Sequence, residues 1–119
     1  MKTQRYGLPR IINATRFSIQ GLCYAWKNES AFREEVIIGF LLIITALFIG
    51  ENHVEKVLLI SSCFFVLIVE LINSAIEAVV DRVGTEHHTL AGAAKDLGSA
   101  AVMLSLGVLI ITWGLLLTN

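Results

Sequence analysis

Three long apolar stretches fill most of this 119-residue chain, and that decides what it can fold into. Val36–Gly50 runs for fifteen residues without a charge. Val57–Val80 is interrupted only by Glu70, Asn73 and Glu77, and Leu97–Leu117 carries no charge at all. A bilayer span needs about 20 apolar residues, so the first stretch is short unless Ala31 and Phe32 extend it. Any one of these could be a buried helix of a soluble core. Three in so short a chain leave too little polar surface to cover them: 55% of residues are hydrophobic and 16% charged, against about 25% charged in ordinary soluble domains. The expected fold is an all-α membrane protein, one domain over residues 1–119, with spans at about 31–50, 57–80 and 97–117.

Charge sets the expected orientation. Of the nine basic residues, Lys2, Arg5, Arg10, Arg16, Lys27 and Arg33 precede the first apolar run. The link Glu51–Lys56 carries one, and the link Asp81–Asp96 carries Arg82 and Lys95. The positive-inside rule then puts the N-terminus and the second link in the cytoplasm, and the first link and C-terminus outside. No secretory leader is expected, because the segment ahead of the first apolar run is too long and no small-residue cleavage site follows it. That segment predicts an amphipathic helix over about 9–28. Pro9 suits a first turn. Ile11, Ile12, Ile19, Leu22 and Trp26 share one side, with Asn13, Arg16, Gln20 and Lys27 opposite and Phe17 breaking the pattern. Such a helix lies on the inner membrane surface or packs on the ends of the spans, and the two are compatible.

The middle span carries the chemical signal. Glu70, Asn73, Ser74, Glu77 and Asp81 fall within one helical stripe at about 100° per residue. A carboxylate at bilayer depth costs on the order of 2.5–3.5 kcal/mol, so the stripe must face protein, water or a ligand. Interhelical hydrogen bonding explains one such residue well and four or five aligned ones poorly. A helix entering at Val57 leaves a core about 30 Å thick near Ile76. Glu77 then meets water, and Glu70 lies about 10 Å deeper, where lipid headgroups join their tails. The spacing points to chemistry between a dissolved substrate and a lipid.

Two further clusters lie at the same face: Glu29, Arg33, Glu34 and Glu35 before the first span, and Glu86, His87, His88, Lys95 and Asp96 after the second. Solvated juxtamembrane charge is the ordinary meaning of such runs. His87 and His88 are adjacent, so they do not converge on one metal from a helix. Cys23 and Cys63 form no CxxC pair and no Cys/His zinc pattern. The small residues Ala91–Ala94 and Gly98–Ala101 permit close helix approach. No GxxxxGK[ST] loop, GxGxxG turn or HRD or DFG element is present, so a nucleotide would need another arrangement. Phosphoryl transfer asks for a metal bridging phosphates, a cation on the developing charge and a group orienting the nucleophile. Glu29 and Glu77 could supply the metal carboxylates, Lys95 the cation and Glu70 the base; spacing permits this without compelling it.

The run Ile68–Arg82, with its E-x-x-N-S-A-I-E-x-x-x-D pattern, resembles the signature of the prokaryotic diacylglycerol kinases, a group of small integral membrane kinases that includes undecaprenol kinases. Ala25-Trp26, Glu29, Ala31-Phe32-Arg33, Glu35, Gly84-Thr85-Glu86, His88, Ala94-Lys95-Asp96 and Gly98–Val102 match as well. The resemblance implies a homotrimer of three-span subunits in the bacterial inner membrane, with active sites between neighbours at the cytoplasmic face. It implies transfer of the γ-phosphate of MgATP to the hydroxyl of diacylglycerol, giving phosphatidic acid, and no nucleic-acid partner. By motif, Glu70 is the base or hydroxyl-orienting group, Glu29 and Glu77 hold Mg²⁺, and Asn73 supports the site. Arg10, Phe17, Glu29, Glu77, Glu86, His87, His88, Lys95 and Asp96 bind ATP. Arg10, Trp26, Ala31, Arg33, Glu35, Glu70, Ser99 and Trp113 border the lipid. Phe17 and His87 depart from the Tyr common in relatives. The long N-terminal arm and the Asp81–Glu86 wording favour diacylglycerol over undecaprenol.

Two other classes compete: an ion- or proton-coupled transport subunit using Glu70 and Glu77 as a relay, and a non-catalytic assembly protein. A relay needs stepping stones across the whole membrane, and Val57–Val69 offers none. A purely adhesive stripe leaves the Glu29 and Lys95 clusters without a purpose.

Overall fold

A computed structural model describes residues 7–84 and 88–118, which form four helices. They are α1 (Gly7–Asn28), α2 (Ser30–Ile49), α3 (His53–Val83) and α4 (Thr89–Leu117). α1 and α2 are helical over nearly the residues where the sequence predicts helix. α3 and α4 are longer than expected, because each starts inside what the charges marked as a link. Asn52 caps α3, its Oδ1 accepting from the backbone N–H of Glu55 at 2.9 Å, while Glu55 Oε2 accepts from the N–H of Glu51 at 2.8 Å. This exchange is close to a capping box, so His53–Lys56 form the first turn rather than a loop. His88 caps α4 through Nδ1, which accepts from the N–H of Leu90 at 3.0 Å. Ala91, Ala93 and Ala94 then carry the helix forward with the best intrinsic propensity available.

α1 and α2 are separated by one non-helical residue, Glu29. Arg33 Nη1 reaches back across that joint and donates to the carbonyls of Trp26 at 2.8 Å and Lys27 at 3.2 Å. A guanidinium on the last carbonyls of a helix satisfies orphan acceptors and complements the dipole. At the opposite end Gly50 turns the chain between α2 and α3. A Cβ there would stand 2.9 Å from the carbonyl oxygen of Ala46 and drive into the Lys56 side chain.

α3 packs mainly on α4, then on α2, while α1 rests on α2. The core gathers at the α2–α3 turn: Ala46, Leu59, Cys63 and Trp113, flanked by Leu42, Ile43, Ile60, Leu109 and Leu116. The Trp113 indole N–H points at the Leu59 carbonyl (3.2 Å) and Ser62 Oγ (3.1 Å), and the Ser62 hydroxyl donates to the same carbonyl at 2.7 Å. An indole buried in an apolar setting needs such a partner.

Among the described residues two helices, α3 and α4, are long and apolar enough to cross a membrane. They are not ordinary core helices: only 28% and 6% of their most apolar stretches are buried within the chain. Met103, Leu104, Ile110, Ile111 and Leu115 all face outward. That surface suits lipid or other protein, as expected of a membrane protein. α2 is greasy too, but Arg33, Glu34 and Glu35 leave only Val36–Ile49 uncharged, about 21 Å of helix against a core of about 30 Å.

Two substitutions test this core by reversible unfolding in micelles. Trp113→Phe removes the donor and shrinks the indole to a single ring, and is expected to cost about 1–3 kcal/mol. Ala46→Leu, at a fully buried helix contact, is expected to cost about 1–3 kcal/mol through overpacking.

Candidate active site

The polar stripe on α3 is graded. Glu70 is 6% exposed, Asn73, Ser74 and Glu77 are half-buried, and Asp81 is exposed. Along the last turns of α3 the cover loosens: Leu71, Ser74, Ala75 and Ala78 face α1 across a cavity lined by Ser18, Leu22 and Ala25. At the covered level α2 contributes a second acid: the Glu35 carboxyl lies within hydrogen-bonding reach of Glu70. Glu35 Oε2 is buried without a partner. Glu29, at the α1–α2 joint, and Glu77, two turns along α3, are the other charges that act on Glu70. Three elements thus bring four carboxylates together.

Asn73 sits between Glu70 and Glu77 on the stripe. Its Nδ2 donates a long hydrogen bond, 3.5 Å, to Glu77 Oε1, and its Oδ1 is buried without a donor. Lys95, from the first turns of α4, places Nζ 2.9 Å from Asp81 Oδ1. That hydrogen bond and the charges of Asp81 and Glu77 push the Lys95 ammonium above the usual lysine range, so it stays cationic through neutral pH. Both partners are well exposed and the pair is screened by solvent, so Lys95 is free to exchange Asp81 for another anion.

The acids suit a hard divalent cation. Among the described residues no three His, Cys, Asp or Glu side chains form a closed metal cage. Magnesium seldom uses one; it takes one or two carboxylates and fills its shell with phosphate oxygens and water. Glu29 is half-buried and makes no capping hydrogen bond, and Glu77 engages only one oxygen. Each therefore has oxygen lone pairs to give.

The remaining expected residues divide. Asp96 and Ser99 are exposed on α4 just beyond Lys95. His88 uses Nδ1 as a cap, which leaves Nε2 available. It lines an apolar cavity of about 360 Å³ with Val79, Val80, Val83, Leu90 and Ala94. Arg10 is exposed near the start of α1, and Phe17 is half-buried with the Arg16 guanidinium 5.5 Å from its ring centre. Trp26 and Ala31 are exposed on either side of the joint, whereas Arg33 is spent on the α1 carbonyls. Trp113 is not near the acids. Its ring is buried beside Leu59 and Ser62, about 12 Å along α3 from Glu70, where it holds helices together. Glu86 and His87 lie outside the described residues. Two features had no counterpart in the sequence reading: the Glu35–Glu70 approach, which crosses helices and leaves no local pattern, and Asp81 as the partner of Lys95.

The model of the family described as prokaryotic diacylglycerol kinase matches residues 16–117. A diacylglycerol kinase of Haemophilus influenzae is 51% identical over 108 residues, 91% of this chain and 92% of the relative. The diacylglycerol kinase of Escherichia coli strain K12 is 50% identical over 117 residues, 98% and 96% of the two chains. That of Pseudomonas aeruginosa is 47% identical over 111 residues, 93% and 90%. With graded acids on α3, a cation opposite them and near full-length identity of this order, the chain belongs to the prokaryotic diacylglycerol kinase family, whose members are lipid kinases.

Proposed function

We propose that the chain phosphorylates diacylglycerol with MgATP at the cytoplasmic face of a bacterial inner membrane, giving phosphatidic acid. The observation that carries this reading is the gradient along α3: a buried carboxylate at Glu70, water-facing groups from Glu77 to Asp81, and Lys95 beside them. A substrate alcohol approaching through lipid meets Glu70, and a nucleotide approaching through water meets Glu77, Glu29 and Lys95. In this reading α2 is the third span, shortened by its charged first turns. α1 lies on the membrane surface with Ile11, Ile12, Ile19 and Leu22 exposed to it. The outward-facing side chains of α4 pack against other copies in a homotrimer, whose sites form between neighbours.

Glu70 accepts the proton of the substrate hydroxyl as its oxygen forms a bond to the γ-phosphorus. The bond from that phosphorus to the β–γ bridging oxygen breaks, and ADP leaves. Lys95 turns from Asp81 to the phosphate oxygens on which negative charge accumulates. Glu29 and Glu77 would hold Mg²⁺, which would supply charge neutralisation on the phosphates. Asn73 steadies Glu77, and Arg10, Phe17, Glu86, His87, His88 and Asp96 complete nucleotide binding. Trp26, Ala31, Arg33, Glu35 and Ser99 border the lipid. Trp113, assigned to the lipid border by resemblance, contributes instead through packing.

Purified protein in lipid micelles with γ-labelled ATP and Mg²⁺ is expected to label diacylglycerol. Label appearing only in undecaprenol, or in neither lipid while the protein remains folded, overturns the reading. Chelating the divalent metal should stop transfer reversibly. Glu70→Gln should reduce turnover by about 10²–10⁴-fold with MgATP affinity little changed, the signature of a missing base. Glu77→Gln should instead raise the Mg²⁺ concentration needed for half-maximal rate. The two variants exchanging these phenotypes would reverse the assigned roles.

A further inference from the structure

α3 and α4 touch where Asn73 meets Gly98, and the contact is specific. Gly98 is buried, and a Cβ built on it would collide with Asn73 Oδ1 and stand 3.2 Å from Asn73 Cγ. The Cα–H bond that this Cβ would replace therefore points at Oδ1, the same oxygen that lacks any conventional donor. A Cα–H···O contact of this kind recurs where helices touch and is weak but directional. The other end of the amide faces Glu77 Oε1 through Nδ2 at 3.5 Å. Reversing the amide would put its oxygen against a carboxylate oxygen, two acceptors face to face. Glycine on one side and a carboxylate on the other thus leave the Asn73 amide one orientation. By contrast, Gly107 further along α4 has nothing within 4 Å of a Cβ position.

We propose that Gly98 is a positioning residue for Glu77: by meeting Asn73 with a hydrogen instead of a methyl, it keeps Nδ2 on Glu77 Oε1 and leaves Oε2 turned out for a divalent cation. The inference rests on the reading of Glu77 as a metal ligand and adds that a residue on another helix, touching neither metal nor nucleotide, sets its geometry. A methyl at position 98 displaces the amide, and Glu77 loses its side-chain donor. Outer-shell groups of this sort govern affinity by orienting the ligand.

The test is Mn²⁺ binding, followed by electron paramagnetic resonance on protein in lipid nanodiscs with a non-hydrolysable ATP analogue, alongside the Mg²⁺ dependence of turnover. Glu77→Gln should lose Mn²⁺ binding; if it binds as the parent does, the reading of Glu77 fails. Gly98→Ala should bind Mn²⁺ about tenfold more weakly. Gly107→Ala should bind as the parent does. Asn73→Ala should match Gly98→Ala, and the double variant should be no weaker than Asn73→Ala, because both remove one link. Parental affinity in Gly98→Ala, or losses that multiply in the double variant, overturn the proposal. If Gly98→Ala does not fold, adding Asn73→Ala vacates the colliding space and should restore folding; failure to do so also overturns it.

Discussion

Hydrocarbon does not solvate carboxylates, and the arrangement of this molecule follows from that penalty. Glu70 can lie in the apolar stretch of α3 because other helices enclose it, and its enclosure is visible as near-complete burial at 6% exposure. α2 supplies Glu35 at the same level, and the joint before α2 supplies Glu29. Each turn of α3 toward the water relaxes the constraint, from buried Glu70 through half-buried Asn73 and Glu77 to exposed Asp81. In the proposed reaction, this one helix reaches from the lipid alcohol to the dissolved nucleotide.

Most of this could be read from the chain because hydrophobicity and helical period are local. The stripe Glu70–Asp81 needs only one helix to be legible, and the apolar runs announce α3 and α4. What escaped the reading was either masked by charge or built across helices. Asp81–Asp96 looked like a link by composition, yet alanine propensity and the His88 cap make most of its second half helical. Asn52-x-x-Glu55 was a helix start in plain view, hidden by attention to where hydrophobicity changes. The meeting of Glu35 with Glu70, of Lys95 with Asp81, and of Asn73 with Gly98 depends on interhelical register, which no single segment encodes. Trp113 is the converse case: a tryptophan late in an apolar run is ordinarily an interface anchor, but the carbonyl of Leu59 and the hydroxyl of Ser62 draw it inward.

The two ends of the bundle are built from different materials. Beside the α2–α3 turn, Ala46, Leu59, Cys63 and an indole pack together, and the turn itself is fixed by Gly50 and the Asn52 cap. At the other end the contacts are polar and incomplete: a long amide bond, a screened ion pair and two buried oxygens without donors. Unmet acceptors in a folded site are suited to a partner that brings donors and positive charge, and the lipid hydroxyl and metal–nucleotide complex of the proposed reaction bring both.

Glu29 is the lone non-helical residue between α1 and α2, with Arg33 clamped over the joint from the next turn. A clamp that close converts the angle between α1 and α2 into the height of one carboxylate. With α1 on the membrane surface, as proposed, the joint gives this enzyme a mechanical route from its lipid surroundings to the Glu29 carboxylate.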